Sequence, residues 1–288
     1  MMSTKYLRLV ILLIALATTG CAYVEGVTPP PVDNASLAPR PATYNDLVNL
    51  PPPKGRIVAS VYSFRDQTGQ YRPAPASNFS TAVTQGATAM LSQALSDSNW
   101  FITLEREGLQ NLLTERKIIR AAQKKPNAPG NNAAELPSLL AANVMFEGGI
   151  IAYDTNIKTG GAGARYLGIG GSEQYRVDQV SVNLRAVDIR TGRVLNNVST
   201  SKKILSKELT TGIFKFIEYK ELLEYESGYT TNEPTQLAVR AAIEAAVIHI
   251  IAQGIKKKSW ALNNPSDMDS EVLSRYLNEQ PAIQGTES

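Results

Sequence analysis

Hydrophobic positions change their period several times along this chain, and each change marks an element. In "RIVASVYSF" apolar and polar residues alternate from Ile57, which predicts a strand. "STAVTQGATAMLSQALSDSN" then spaces Val83, Met90, Leu91 and Leu95 as one helical face, with Ser77 or Asn78 placed to cap it. "WFITLE" predicts a short strand, and "REGLQNLLTERKIIRAAQ" an amphipathic helix through Leu109, Leu112, Leu113 and Ile119. After the turn-forming "PNAPGNN", "SLLAAN" predicts a short helix and "VMFEGGIIAYD" a further strand. "DQVSVNLRAVDI" and "GRVLNNVSTSKKI" extend the strand set. "NEPTQLAVRAAIEAAVIHIIAQGIKKK" predicts a long helix with Pro234 in its first turn and Gly254 and the lysines near its end. A last helix over Ser266 to Leu277 carries Val272, Leu273 and Tyr276 near one face. The mixture is of the α+β class, with a compact α/β body.

The beginning of the chain has another period altogether. Lys5 and Arg8 precede an unbroken apolar run from Leu9 to Ala17, and small residues lead to Cys21. That is a secretory signal over residues 1–20, too short for the roughly 20 apolar residues of a spanning helix. No helical span is expected in the rest. Cys21 is the only cysteine, so no internal disulfide is open to it, and it stands where a lipoprotein signal places its lipidated residue. Diacylglycerol and an N-acyl chain on Cys21 are therefore expected, with no other cofactor. Thr18 departs from the usual leucine at the third position before that cysteine, and an unpaired buried thiol is the alternative. Ala22 follows in place of an aspartate, which by resemblance to lipoprotein sorting signals implies the outer membrane.

Half of the 16 prolines fall between Pro29 and Pro53, making residues 21–53 an extended arm whose Tyr44, Leu47 and Leu50 are expected to dock on a neighbour. Lys5 and Arg8 are the only charges before residue 21, so the formal charge of +3 falls to +1 once the signal is removed. Such a chain has no general field for phosphate backbones, and Lys256, Lys257 and Lys258 read as a charged helix end. Nucleic acid is not an expected partner.

Enzymatic chemistry also lacks its residues. His249 stands alone in the apolar "AAVIHIIAQ", "GIGGSEQ" does not complete a dinucleotide fingerprint, and no phosphate-loop GK[ST] occurs. Glu105, Glu107 and Glu115 lie among lysines and arginines as solvated helix faces. No His, Cys and carboxylate cluster suggests a metal.

Two segments do not fit the body. "TNIKTGGAGARYLGIGGSEQYRV" is glycine-rich and a poor core strand, and "LSKELTTGIFKFIEYKELLEYESGY" alternates Phe214 and Phe216 with Lys215. Both are consistent with surface hairpins. Both are also long enough for two transmembrane strands of roughly 9–11 residues. Tyr166, Tyr175, Phe214, Phe216, Tyr219 and Tyr225 would then meet lipid and its interfaces, and Arg165, Arg176 and Lys215 a wet lumen. Four strands cannot close a barrel, which needs about eight, so copies would have to pool their hairpins.

The runs "APASNFS", "GLQNLL", "ERKIIRAAQ", "GGAGARY", "GIG" and "GYTTNEP", in this order, resemble the curli-assembly secretion channel family, CsgG, along nearly the whole chain after the signal. The resemblance implies lipid-anchored nonamers of the outer membrane. In these a periplasmic α/β vestibule, anticodon-binding-domain-like in fold, continues into a barrel of 36 strands, the largest size known for such walls. It divides the chain into a periplasmic domain over 54–156 with a constriction loop at 70–80, transmembrane hairpins over 157–177 and 207–227, periplasmic strands over 178–206, and C-terminal helices over 228–288. It further implies export of unfolded curlin subunits without ATP, beside a periplasmic cap factor and an extracellular assembly factor. By the same resemblance, copies of "QYRPAPASNFS" ring a narrow eyelet. Pro73 and Pro75 stiffen it, and Asn78 and Phe79 line it. Family members carry tyrosine where this chain has Ala74, which implies a wider eyelet here. A soluble periplasmic lipoprotein acting as an adaptor is the alternative reading of the same residues.

Overall fold

A computed structural model describes residues 34–71, 80–123, 136–158, 174–209, 213–216 and 234–281. Helix α1 (Thr43–Val48) is followed by β1 (Ile57–Asp66), α2 (Ala87–Asp97), β2 (Phe101–Leu104), α3 (Leu109–Gln123), β3 (Val144–Lys158), β4 (Gln174–Asp188), β5 (Val194–Leu209), β6 (Ile213–Phe216), α4 (Pro234–Lys256) and α5 (Glu271–Asn278), with a 3-10 turn at Pro265–Asp269. The strands form one sheet in the order β2-β1-β3-β4-β5-β6. β1 runs parallel to both β2 and β3, and every later pair is antiparallel.

The sheet is buried on one face only. Ala59, Val61, Phe64, Val144, Phe146, Ile150, Val180, Val182, Leu184, Ala186 and Val198 point to that face and are at most 7% exposed. α2 and α4 lie side by side on it, α2 over β1 and β2, α4 over β4 and β5. The opposite face is polar on β4 and β5, where Asn183 Nδ2 donates to Asn197 Oδ1 and to Ser199 Oγ, each at 2.9 Å. This alternation is the signature of a sheet with one wet side.

α4 is apolar around most of its circumference because the sheet, α1, α2 and α5 all pack on it. It is long and apolar enough to cross a bilayer, yet 72% of that stretch is buried inside the protein. It is the core helix of the body. Gly254, expected as an end signal, has a packing role instead: a Cβ there would lie 1.9 Å from Trp260 Cε2. Trp260 stays in place by donating from Nε1 to the Ile251 carbonyl at 2.9 Å and by meeting Phe101 edge-on.

Four expectations from the residue pattern are corrected. α2 begins at Ala87 after Gly86, so neither Ser77 nor Asn78 caps it. Val83 is buried, and Thr84 Oγ1 accepts from the Gly86 N–H, which holds the preceding turn out of the helix. "SLLAAN" is not helical; its Leu140 carbonyl accepts from Arg106 at 2.8 Å, and the carbonyl of Pro137 just before it accepts from Arg116. The arm does not reserve its apolar residues for a neighbour. Leu47 and Leu50 are buried in the chain's own core, and Tyr44 packs against it. The last predicted helix is divided into the 3-10 turn and α5.

α1 is fastened by two polar contacts as well as by Leu47. Thr43 Oγ1 donates to Glu244 Oε2 on α4 at 2.7 Å. Asp46 Oδ2 accepts from Arg275 at 2.9 Å and from the Tyr276 hydroxyl at 2.8 Å, both on α5. Desolvation pushes the Glu244 carboxyl up to about 7 despite the Thr43 hydroxyl and the nearby Arg240 and Arg40. Burial and the Asp46 carboxylate likewise push the Tyr276 phenol up. Because the folded protein holds the Glu244 proton more tightly than the unfolded chain does, stability is highest below the ordinary carboxyl value and falls as pH rises from about 4.5 through about 7. Glu244→Gln keeps the acceptor for Thr43 and removes the ionisable group. Its melting temperature is expected to exceed wild type at pH 8, by an amount equivalent to about 1–3 kcal/mol, with the difference closing toward pH 4.5; thermal scans across that range measure it.

Candidate functional site: the overhanging sheet and the loop beside it

β1 ends where β3 is only half complete. The β1–β3 ladder stops at the pair Asp66 and Ile150, whereas β3 continues to Lys158. At roughly 3.3 Å per residue this carries the strand about 25 Å further. β4 follows it throughout, from Val144 opposite Asp188 to Lys158 opposite Tyr175. β5 follows β4 to Glu208 opposite Gln174, and β6 adds to β5 between Ser206 and Leu209. The outcome is an antiparallel ribbon β3-β4-β5-β6 standing past the helix-covered body. Among the described residues, β3 from Ala152 onward pairs on one side only, as does β6.

Glycine makes the departure from the body possible. Gly148 has φ +153°, and a Cβ there would lie 2.0 Å from the Asn183 carbonyl oxygen. At its neighbour Gly149 a Cβ would lie 2.5 Å from the Arg65 carbonyl oxygen. The "GG" of "VMFEGGII" therefore lets three strands close together at the root of the ribbon. β1 bulges at the same level, between Val61 and Phe64. There Thr88 Oγ1 accepts from the Phe64 N–H at 2.9 Å and donates to its carbonyl at 3.1 Å, which satisfies backbone groups the bulge releases. Just above, the Tyr153 hydroxyl donates to Oδ2 of the buried Asp178 at 3.0 Å, and Glu147 and Arg185 form an ion pair across the ladder.

The loop that follows β1 is rooted at this level. Gln67 N–H donates to the Ile150 carbonyl at 2.9 Å, tying the end of β1 to the last residue of β3 that still has β1 beside it. Asp66 Oδ1 accepts from the N–H and hydroxyl of Thr68, and Gln85 reaches Asp66 Oδ2 at 3.3 Å. The two ends of the loop meet, with Tyr71 bridging to Thr81 and the Ala82 N–H donating to the Gln70 carbonyl at 2.9 Å. Tyr62, Tyr71 and Ile151 are exposed around this root, at 47%, 61% and 45%.

Pro73, Ala74, Pro75, Asn78 and Phe79 lie outside the described residues, as does Cys21. Of the two predicted hairpins, the described parts are the ends of β3 and β4, the end of β5, and β6. The sequence windows at 178 and 207 divide strands that the sheet leaves undivided, for β4 and β5 each run through body and ribbon alike. His249 sits between α4 and α5, with Nε2 3.1 Å from Glu279 Oε2 and its ring edge-on to Tyr276. Among the described residues no group of three or more His, Cys, Asp or Glu is placed to hold a metal ion. Sequence reasoning passed over Asp178, Glu244 and Asn196, all nearly fully buried. An acidic or amide residue on the apolar parity of a strand or helix was the signal available for each.

The family model described as "Curli production assembly/transport component CsgG" matches residues 40–280. A protein of that name from Salmonella typhimurium (strain LT2) is 54% identical over 271 residues, covering 93% of this chain and 96% of its own. Its namesakes in Citrobacter koseri and Escherichia coli (strain K12) are 53% and 52% identical over the same shares. The family is one of transport components and not of enzymes, which agrees with the absence of catalytic motifs in the sequence. With matches of this extent, the chain belongs to the CsgG family of curli production assembly and transport components.

Proposed function

We propose that this chain is one subunit of an outer-membrane secretion channel that passes unfolded curlin subunits from the periplasm to the cell surface. The observation that carries this reading is the overhanging ribbon with its two single-sided edges. In water those edges are hydrated. In a bilayer each unpaired amide or carbonyl costs several kcal/mol, so the ribbon is tolerable there only when copies seal one another's edges. Joining the free edge of β3 to the β6 side of the next copy, nine times over by family resemblance, makes a closed wall of four strands per subunit. Cys21 and its acyl chains tether each subunit while the wall assembles, and the arm over residues 21–53 leads to the body. Curlin subunits, a periplasmic cap factor and an extracellular assembly factor are the partners of this assembly.

The loop over residues 70–80 forms the eyelet. Its ends are pinned at the level where the ribbon leaves the body, which is where a ring between vestibule and barrel would have to hang. Pro73 and Pro75 restrict the backbone, Asn78 offers amide donors and acceptors, and Phe79 offers apolar surface. An extended chain then diffuses through without a strong preference for any residue type.

Detergent-extracted protein is expected to form rings with rotational symmetry in electron micrographs and to render liposomes leaky. A Cys21→Ser protein that stays monomeric and leaves liposomes tight in the presence of membranes would instead favour the soluble adaptor. Phe79→Ala is expected to leave ring formation intact and to lower curlin export, read as surface curlin in a deletion strain; normal export would count against the eyelet. Ala74→Tyr is expected to lower single-channel conductance, and equal conductance would show that position 74 does not set the width.

A further inference from the structure

Exposed apolar side chains gather at one flank of the body. α3 has no buried residue from Leu109 to Ala122, and Ile118 and Ile119 are 54% and 39% exposed. The segment leading back to β3 runs beside it, through the Arg106 contact to Leu140 and the Arg116 contact to Pro137. It exposes Leu139 at 38% and Leu140 at 60%, and Ile102 on the adjoining β2 is 40% exposed. An apolar flank of this kind on a folded body marks a contact surface.

The sheet itself shows where the matching surface lies. Leu104, Ser60, Met145, Val187 and Val194 form one continuous cross-strand row, so β2 and the start of β5 terminate the same row at opposite edges. Val194 is 50% exposed, and Ile189 in the adjoining turn is 44% exposed. That turn is rigid. Asp188 Oδ1 accepts from the N–H groups of Arg190 and Thr191, and Asp188 N–H donates to the Arg193 carbonyl at 2.9 Å. The same hydrogen bonds hold the Asp188 carboxyl below its ordinary value.

We infer that the β2–α3 flank of one copy docks on the Ile189 and Val194 corner of the next, as a head-to-tail contact below the membrane wall. The inference rests on the channel reading, because the rotation that brings β6 of one copy to the free edge of β3 also brings the lower edge of its β5 toward β1 and β2. Below the ribbon the β1–β2 pair projects past β3, while β6 does not reach down to Val194. The flank therefore laps the neighbour's β5 edge and does not merely abut it. A contact between two different patches propagates around a ring, whereas a self-complementary patch stops at a dimer. The rigid corner loses little entropy on docking.

Ile118→Cys and Val194→Cys proteins, each lipidated at Cys21, test this with a short bismaleimide applied to extracted rings. The two variants co-expressed, so that they assemble into mixed rings, are expected to give cross-linked heterodimers, and a chain carrying both a ladder of multimers; either variant alone is expected to stay uncross-linked. Dimers from Ile118→Cys alone, or intact rings without any ladder, overturn the inference and leave the channel standing. Wild-type protein that forms no ring and leaks no liposome removes both. Val194→Asp adds an independent measure: at unchanged melting temperature, the fraction of protein in rings is expected to fall about tenfold, and an unchanged fraction overturns the contact.

Discussion

The backbone hydrogen bonds that the ribbon cannot make by itself govern the rest of the structure. Inside the body each strand has a neighbour or a wet edge. Past Ile150 the geometry changes, because β3, β4 and β5 go on while β1 does not. A single-sided strand is harmless in the periplasm and costly in lipid, by several kcal/mol for each group. In the proposed channel, one sequence would serve both as a separate subunit and as part of a closed wall of many copies, with the surroundings choosing between them.

The helix-covered body is the base from which the ribbon leaves. Helices cover one face of the sheet, and the buried contacts across it are specific: Asn196 reaches the Ile250 carbonyl, Thr200 Oγ1 donates to the Ala242 carbonyl at 2.6 Å, and Trp100 Nε1 donates to the Pro51 carbonyl at 2.9 Å. The last of these, with the pairing of Pro53 to Leu262, locks the end of the proline-rich arm to the body. The arm's apolar residues are spent internally, so the apolar side chains that stay exposed lie elsewhere, on α3 and its companion segment among them.

Much of this was legible in the sequence where local pattern and tertiary environment agree. The strand at Ile57 and the helix face of Met90, Leu91 and Leu95 carry periodicity that their final packing uses, whereas the face through Leu109 to Ile119 forms its helix without being buried. Pattern failed where a nonlocal partner decides. "SLLAAN" has helical spacing, but Arg106 takes the Leu140 carbonyl within it and Arg116 the Pro137 carbonyl just before it, acceptors that helical hydrogen bonds would otherwise use. Gly86 set a helix start that Ser77 and Asn78 seemed to mark, since Val83 is buried first. Leu47 looked free for a neighbour because α4, its actual cover, lies some two hundred residues away in sequence. The two segments that do not fit the body were legible only as misfits between good strands. At the root of the ribbon glycine is a requirement of close approach, as Gly148 shows against Asn183, and composition alone registers it as weakness.

The placement of the loop root ties the two halves of the molecule into one device. Gln67 N–H donates to the carbonyl of Ile150 and Ala82 N–H to that of Gln70, so the ends of the loop are tied to each other and to the strand from which the ribbon leaves. In the proposed channel, ends fastened in this way and two interior prolines would leave the loop little conformational entropy to lose when a polypeptide passes. Such an aperture would suit transport by diffusion, since a chain that must keep moving gains nothing from a site that binds it well. Its width would then follow from the side chains the loop carries, and alanine at position 74 offers less bulk there than tyrosine would.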